Sequence, residues 1–304
     1  MKHLFIVNPD AGKGKAVRYV ESIEKYFQKS KEPYYIEFTK GPGDATEIAR
    51  KHTSTERYRV YSVGGDGTLN EVLNGVMNSS SSLAVIPSGS GNDFLRSMGV
   101  GFNSSLLYRT INGEEKYIDV GRVNDRYFVN VASVGIDAEV VYNARKFKKL
   151  PLLSGMGAYV AGIFYTVFKY KSFNSTININ NINYSRQTLL LAVANGKYYG
   201  GGMKIAPRAD LTDEHFDIYH IDRANPLKII FLFPKLIKGR HESIKEVAYY
   251  KSRNVKISSD ESFLLNIDGE IFETKEAEFE IIHNGLKLVV PSKDFRNYLF
   301  ATDA

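Results

Sequence analysis

The chain reads as an α/β domain followed by a β-rich one, and three observations predict this. Over residues 1–118, β-branched and aromatic runs alternate with amphipathic helical stretches, the pattern of a mostly parallel sheet covered on both faces. From about Tyr117 short alternating runs follow one another, which suits a mainly antiparallel sheet. Polar, glycine-bearing segments follow the early strands, at the carboxyl ends where such sheets bind ligands.

The elements follow in order. Leu4 to Val7 is a strand, and Ala16 to Gln28 a helix with Val17, Val20, Ile23 and Phe27 on its inner face. Tyr34 to Phe38 is a strand; the next helix starts near Asp44, with Glu47 as capping-box partner. Residues 59–63 form a strand, 68–78 a helix and Leu83 to Ile86 a strand. In the second part Tyr117 to Arg122 and Tyr127 to Ala132 pair across Asn124-Asp125. The remaining predicted strands are 176–182, 188–194, 216–221, 255–258, 263–267, 277–282 and 286–290. Asn284-Gly285 between two alternating runs predicts a type I′ hairpin. Helical insertions are expected near 138–171 and 226–240.

Composition sets outer limits. The chain has 304 residues, with 43% hydrophobic and 24% charged, ordinary for a globular protein with a sizeable core. Cysteine is absent, which removes disulfides, thiolate metal sites and cysteine nucleophiles. The first residues turn polar too quickly for a signal peptide and read as a strand, so a cytoplasmic location is expected. A net charge of +6 is a weak pointer to anionic partners, and charge alone supports no nucleic-acid partner. The uncharged stretch 150–168 is broken by Pro151, Ser154 and three glycines, so it makes a poor membrane span. A buried helix is expected there. Lining an apolar substrate cleft, or touching a membrane surface beside the basic run 145–149, is the functional alternative.

Gly64-Gly65-Asp66-Gly67-Thr68-Leu69-Asn70-Glu71 concentrates the chemistry. Three glycines lie between a strand end and a helix whose start Thr68 and Glu71 mark as a capping box. Glycine backbone and free helical N–H groups favour a phosphate, and Asp66 could help hold a metal bound to it. A plain strand-to-helix turn would need one glycine.

Other segments carry weaker signals. Asn8-Pro9-Asp10-Ala11-Gly12 opens a glycine- and lysine-rich loop without Walker A spacing. In 87–94, Ser90 can donate to a phosphate or an adenine edge, or the segment is a polar turn. Asp268-Gly269-Glu270 puts two carboxylates two residues apart, at a hairpin tip or on one strand face; one could be a general base. The acid-rich run 206–217 could offer hard oxygen ligands to Mg²⁺, or be a solvated loop. Hydrolase and dehydrogenase signatures are missing.

Taken in order these segments resemble the diacylglycerol kinase-type soluble lipid kinases, relatives of sphingosine and ceramide kinases. The resemblance runs from Asn8-Pro9 through Thr39, Gly64 to Glu71, residues 89–94, Asp119-Val120-Gly121, residues 128–135 and 194–202, to Asp268-Gly269-Glu270. It implies a Rossmann-like α/β nucleotide domain over 1–118, a C-terminal antiparallel β-sandwich lipid domain over 119–291, and a catalytic cleft between them. The tail 292–304 would return to the first domain. ATP would contact Asn8, Pro9, Asp10, Ala11, Gly12, Thr39, Gly64, Gly65, Asp66, Gly67, Thr68, Leu69, Asn70 and Ser90. Asp66 would be tied to Mg-ATP, and Asp268 or Glu270 would supply the base.

A structural Mg²⁺ would use the Asp213 side chain and backbone oxygens of Asp210 and His215. Relatives show two adjacent acids followed by glycine there, where this chain has Thr212-Asp213-Glu214. The implied activity is transfer of the γ-phosphoryl group to a membrane lipid, foremost diacylglycerol to give phosphatidic acid. A sphingoid base or another glycerolipid is the alternative acceptor. The protein would meet its lipid peripherally at a membrane through 150–168 and the basic segment 226–240; a homodimer is compatible with the sequence. NAD kinase shares a Gly-Gly-Asp-Gly loop, but the Asn8-Pro9 start and Asp268-Gly269-Glu270 end argue against it. A non-catalytic nucleotide- or lipid-binding regulator is the reading from another class.

Overall fold

The computed structural model describes residues 1–89, 91–147 and 155–293. The chain divides into two compact units, 1–120 with 283–304 and 121–282. The sequence puts these divisions at 118/119 and 291/292. The second falls earlier because the last long strand ends on the first unit's sheet.

The first unit contains β1 (Lys2–Val7), α1 (Tyr19–Ser30), β2 (Tyr34–Phe38), α2 (Asp44–Thr53) and β3 (Tyr58–Gly64). It continues with α3 (Asp66–Val76), β4 (Ser82–Pro87), α4 (Asp93–Ser97), α5 (Leu106–Ile111) and most of β5 (Glu114–Val123). β2, β1, β3 and β4 pair in that order, all parallel. Their apolar runs are buried, with Phe5 stacked on Tyr61 at 4.1 Å and Ile23 and Phe27 of α1 packed against them. Val17 falls in a short 3₁₀ turn before α1 and is exposed.

Two helix starts differ from the expected capping boxes. α3 begins at Asp66, two residues early, with no side-chain cap. Thr68 Oγ1 instead accepts a hydrogen bond from Asn8 Nδ2 at 2.9 Å, and Glu71 Oε2 accepts from the Ala45 amide at 3.2 Å. At α2, Asp44 Oδ2 accepts from the Lys40 amide at 2.6 Å, so its carboxylate fastens the incoming loop. Tertiary partners at α3, and the incoming loop at α2, have taken the oxygens that a capping box would use.

The second unit contains β6 (Arg126–Phe128), β7 (Val131–Gly135), α6 (Ile136–Phe147), α7 (Gly155–Lys169), β8 (Phe173–Ile179) and β9 (Ile182–Ala194). Then come β10 (Phe216–Asp222), α8 (Pro226–Ile237), β11 (Val247–Ser252), β12 (Asn254–Ile267) and β13 (Glu270–Val290), which runs into the first unit. β11, β10, β9, β7, β12 and β13 pair antiparallel in that order, and β8 bridges β9 and β12. β9 is buried on both faces: Leu191 and Val193 enter one core, Leu190, Ala192 and Ala194 another. A strand covered on both sides reads as a continuous apolar run, as Leu189 to Ala194 does.

Asn284-Gly285 is not a hairpin. β13 continues through it, pairing antiparallel with β12 up to Glu280 and parallel with β4 at Lys287 and Leu288. A type I′ turn needs positive φ at both positions; only Asn284 has it, at 51°, and its amide donates to Asp119 Oδ1 at 2.9 Å. The expected strand 127–132 is likewise split, between β6 and β7. The C-terminal half of α7 is only partly buried. Thr166 and Val167 face inward, while Phe164, Tyr165 and Phe168 are exposed. Residues 150–154 of that uncharged stretch lie outside the described residues.

Candidate active-site loops and the family they define

The loops after β1, β3 and β4 converge because those strands are neighbours in one parallel sheet. The Asn8 amide donates to Val63 O at 3.0 Å and its side chain to Thr68. Asp10 and Ala11 fold back on Asn8 through their amides. The Thr39 amide, at the end of β2, donates to Val7 O at 3.0 Å. Gly12 has φ +61°, and a Cβ there would lie 1.9 Å from Ser88 O, so only glycine lets the β1 loop close on the β4 loop.

Gly67 is different. Its φ is ordinary and a Cβ would meet nothing within 4 Å. It is exposed in the first turn of α3, where N–H groups lack intrahelical partners. Neither packing nor backbone conformation requires a glycine here, and glycine costs a helix about 1 kcal/mol relative to alanine. The space kept open in front of those N–H groups suits an approaching anion.

Asp66 Oδ2 accepts from the Asn92 amide and Oδ1 from the Asp93 amide, both at 2.9 Å. Burial pushes this carboxyl up, and the amides of Asp93, Asn92 and Phe94 oppose that. The carboxylate therefore ties the β4–α4 loop to the start of α3. Leu69 and Asn70 are buried in α3. Ser90 lies outside the described residues.

In the second unit Asp268-Gly269 is the two-residue turn between β12 and β13, with φ 47° and 98° and Ile267 opposite Glu270. The turn geometry is type I′, so the two carboxylates sit at a hairpin tip. Asp268 Oδ2 accepts from the Val129 amide at 3.0 Å; Oδ1 accepts from Asn130 at 3.2 Å and Val131 at 2.9 Å. These are the amides released by the break between β6 and β7. Glu270 turns elsewhere, to Arg126 Nη1 at 3.2 Å.

Three residues to which the sequence assigned no role, Asn266, Asp137 and Ser133, support this turn. Asn266 Oδ1 accepts from the Gly269 amide at 2.9 Å, and its Nδ2 donates to Asp137 Oδ2 at 3.3 Å. Ser133 Oγ also donates to that Asp137 oxygen. Burial pushes the Asp137 carboxyl up, against the Ser133 and Asn266 hydrogen bonds. Asn266 and Ser133 lie on neighbouring strands in register, a signal that only β7–β12 pairing reveals.

In the loop expected to hold a structural metal, the Asp210, Asp213 and His215 side chains all have partners within the protein. Asp210 Oδ1 accepts from the Thr212 amide at 3.0 Å and hydroxyl at 2.8 Å. Asp213 Oδ1 accepts from the His215 amide at 3.2 Å, and Oδ2 from Lys251 Nζ at 2.6 Å. His215 Nδ1 lies 2.7 Å from Asp213 O. No cluster of three acidic or histidine side chains suited to a metal occurs among the described residues.

Residues 2–123 match the diacylglycerol kinase catalytic domain, and residues 130–290 the YegS C-terminal NAD kinase β-sandwich-like domain. A diacylglycerol kinase of Bacillus subtilis is 29% identical over 95% of this chain and 96% of its own length. One from Staphylococcus carnosus is 30% identical over 96% of this chain and 95% of its own. A Bacillus anthracis protein, described as a candidate diacylglycerol kinase, has a crystal structure that superposes with a TM-score of 0.74 at 27% identity. That match covers 95% of this chain and 96% of the other.

A diacylglycerol kinase catalytic-type α/β unit, followed by a β-sandwich-like unit, defines a two-domain phosphotransferase. The chain belongs to the diacylglycerol kinase family, whose members are lipid kinases that take ATP as phosphoryl donor.

Proposed function

We propose that this chain transfers the γ-phosphoryl group of ATP, bound with Mg²⁺, to the free hydroxyl of diacylglycerol at a membrane surface, giving phosphatidic acid. The observation that carries the donor half is the open first turn of α3 at Gly67, walled by the β1 and β4 loops. Backbone N–H groups there hold phosphate oxygens; Asn8 to Gly12, Thr39 and Ser90 complete the nucleotide contacts. Asp66 shapes the seat through Asn92 and Asp93 and places negative charge beside the cation. Mg²⁺ on the ATP phosphates would neutralise charge developing during transfer.

The pair Asp268 and Glu270 supplies the base. One carboxylate orients the acceptor hydroxyl and takes its proton as the oxygen attacks phosphorus and ADP leaves. The three amides on Asp268 fix that carboxylate in advance, which supports a role needing exact orientation.

The relatives' names support diacylglycerol as acceptor. The exposed apolar side chains of α7 and α8 support access from a membrane. Leu227, Phe231, Lys235 and Lys238 follow one face of α8 and its C-terminus, with Leu227 69% and Phe231 79% exposed. An apolar face bearing lysines suits a helix lying in the headgroup layer. No described helix is long and apolar enough to cross a membrane.

Single variants test the assignment. Glu270→Gln and Asp268→Asn are each assayed for turnover and for folding by circular dichroism. The base is the residue whose loss costs on the order of 10²–10⁴ in kcat. Near-normal turnover in both folded variants would remove this pair from the mechanism.

A further inference from the structure

The family resemblance places a structural Mg²⁺ on the 210–215 loop, with the Asp213 carboxylate as its one side-chain ligand. In this chain that carboxylate is engaged on both oxygens, by the His215 amide and by Lys251. Lys251 comes from β11, where it stands opposite Asp217 of β10, and it lies in the field of Asp213, Asp217 and Asp210. Just beyond the strand, Arg253 pairs with Glu214. Glu214 occupies the position where relatives carry glycine, and it holds φ 64°, the left-handed region that glycine enters most readily. The ion pair uses the substituted side chain to hold the unusual backbone. Two cations from one segment, Lys251 and Arg253, thus fasten the two consecutive acids Asp213 and Glu214.

A resident Mg²⁺ does not fit this arrangement. Mg²⁺ needs oxygen ligands at about 2.0–2.1 Å in near-octahedral geometry and dehydrates reluctantly. An ammonium 2.6 Å from the same oxygen occupies one approach and repels a second cation. We propose that Lys251 serves as a built-in cation for this loop, replacing the structural divalent metal of the family. The magnesium that accompanies ATP is a separate matter, and the loop does without one.

Nucleotide-free protein tests this with MgCl₂ as the probe. Wild type, treated with EDTA, should bind no Mg²⁺ by calorimetry and melt at an unchanged temperature when millimolar MgCl₂ is restored. Lys251→Met should melt lower and recover by about 2–4 °C with MgCl₂, and the added Asp213→Asn should abolish that recovery. Lys251→Arg should stay indifferent to the metal. Stoichiometric Mg²⁺ on nucleotide-free wild type, lost in Asp213→Asn, overturns the proposal. So does a folded Lys251→Met as indifferent to Mg²⁺ as wild type, because the lysine would then be standing in for nothing. If Lys251→Met does not fold, the wild-type titration still decides.

Discussion

Asp268 and Val131 bind each other twice: the Val131 amide donates to Asp268 Oδ1 at 2.9 Å, and the Asp268 amide donates to Val131 O at 3.1 Å. The hairpin tip is thereby locked to the start of β7, and Asn266 locks it from the other side through Gly269. Asn266→Ala removes an acceptor from the Gly269 amide and a donor from the buried Asp137 carboxyl, a loss of about 1–3 kcal/mol in stability. Its expected kinetic mark is a lower kcat with an unchanged KM for ATP, read by steady-state assay. A fall in stability with no change in kcat would reduce Asn266 to a packing residue.

Gly67 separates ligand from fold. Since a Cβ there meets nothing, Gly67→Ala should fold as well as wild type or melt slightly higher, because alanine favours helix by about 1 kcal/mol. The same methyl would stand where phosphate approaches, so the KM for ATP should rise. Calorimetric titration with ATP and a thermal melt give both numbers; unchanged ATP affinity would move the phosphate elsewhere.

The outward face of α8 predicts membrane behaviour. Burying one phenylalanine is worth about 1.5–3 kcal/mol, so Phe231→Ser should weaken binding to anionic vesicles by about tenfold or more. Melting temperature and turnover of a short-chain diacylglycerol in solution should not change, since Phe231 is 79% exposed. Equal vesicle binding by wild type and variant in a flotation assay would exclude α8 from the contact.

Two buried histidines predict an acid limit. Burial lowers His3 and His220 from 6.5 to about 4. As pH falls below 6.5 the unfolded chain takes up protons that the folded imidazoles refuse. Stability is therefore lost progressively between about pH 6.5 and 4. His220→Asn should flatten the fall in melting temperature over that window. A slope identical to wild type would mean that His220 is protonated in the folded state.

Much of this was legible in the sequence, and the misses share a physical cause. Apolar and β-branched runs marked β1, β3, β4 and the C-terminal half of β9, and Asp268-Gly269 marked its own turn. Local signals failed where a distant partner took the group. Thr68 and Glu71 resemble a cap, yet Asn8 and Ala45 hold them. Asn284-Gly285 resembles a hairpin, yet β13 runs on to β4. The expected strand 176–182 runs through Asn180-Asn181, which is instead the two-residue turn between β8 and β9, with positive φ at both positions. Composition also could not say which face of α7 would meet solvent, nor that Lys251 would stand opposite Asp217 and reach Asp213.

The most direct test of the central claim is to offer the purified protein γ-labelled ATP, Mg²⁺ and a choice of acceptors. Diacylglycerol, sphingosine and NAD are supplied separately and then in competition, with the labelled product identified by mass spectrometry. Labelled phosphatidic acid is the expected product, lost in Asp268→Asn or in Glu270→Gln, whichever removes the base. Label in NADP, or in no lipid while the protein remains folded, would contradict it.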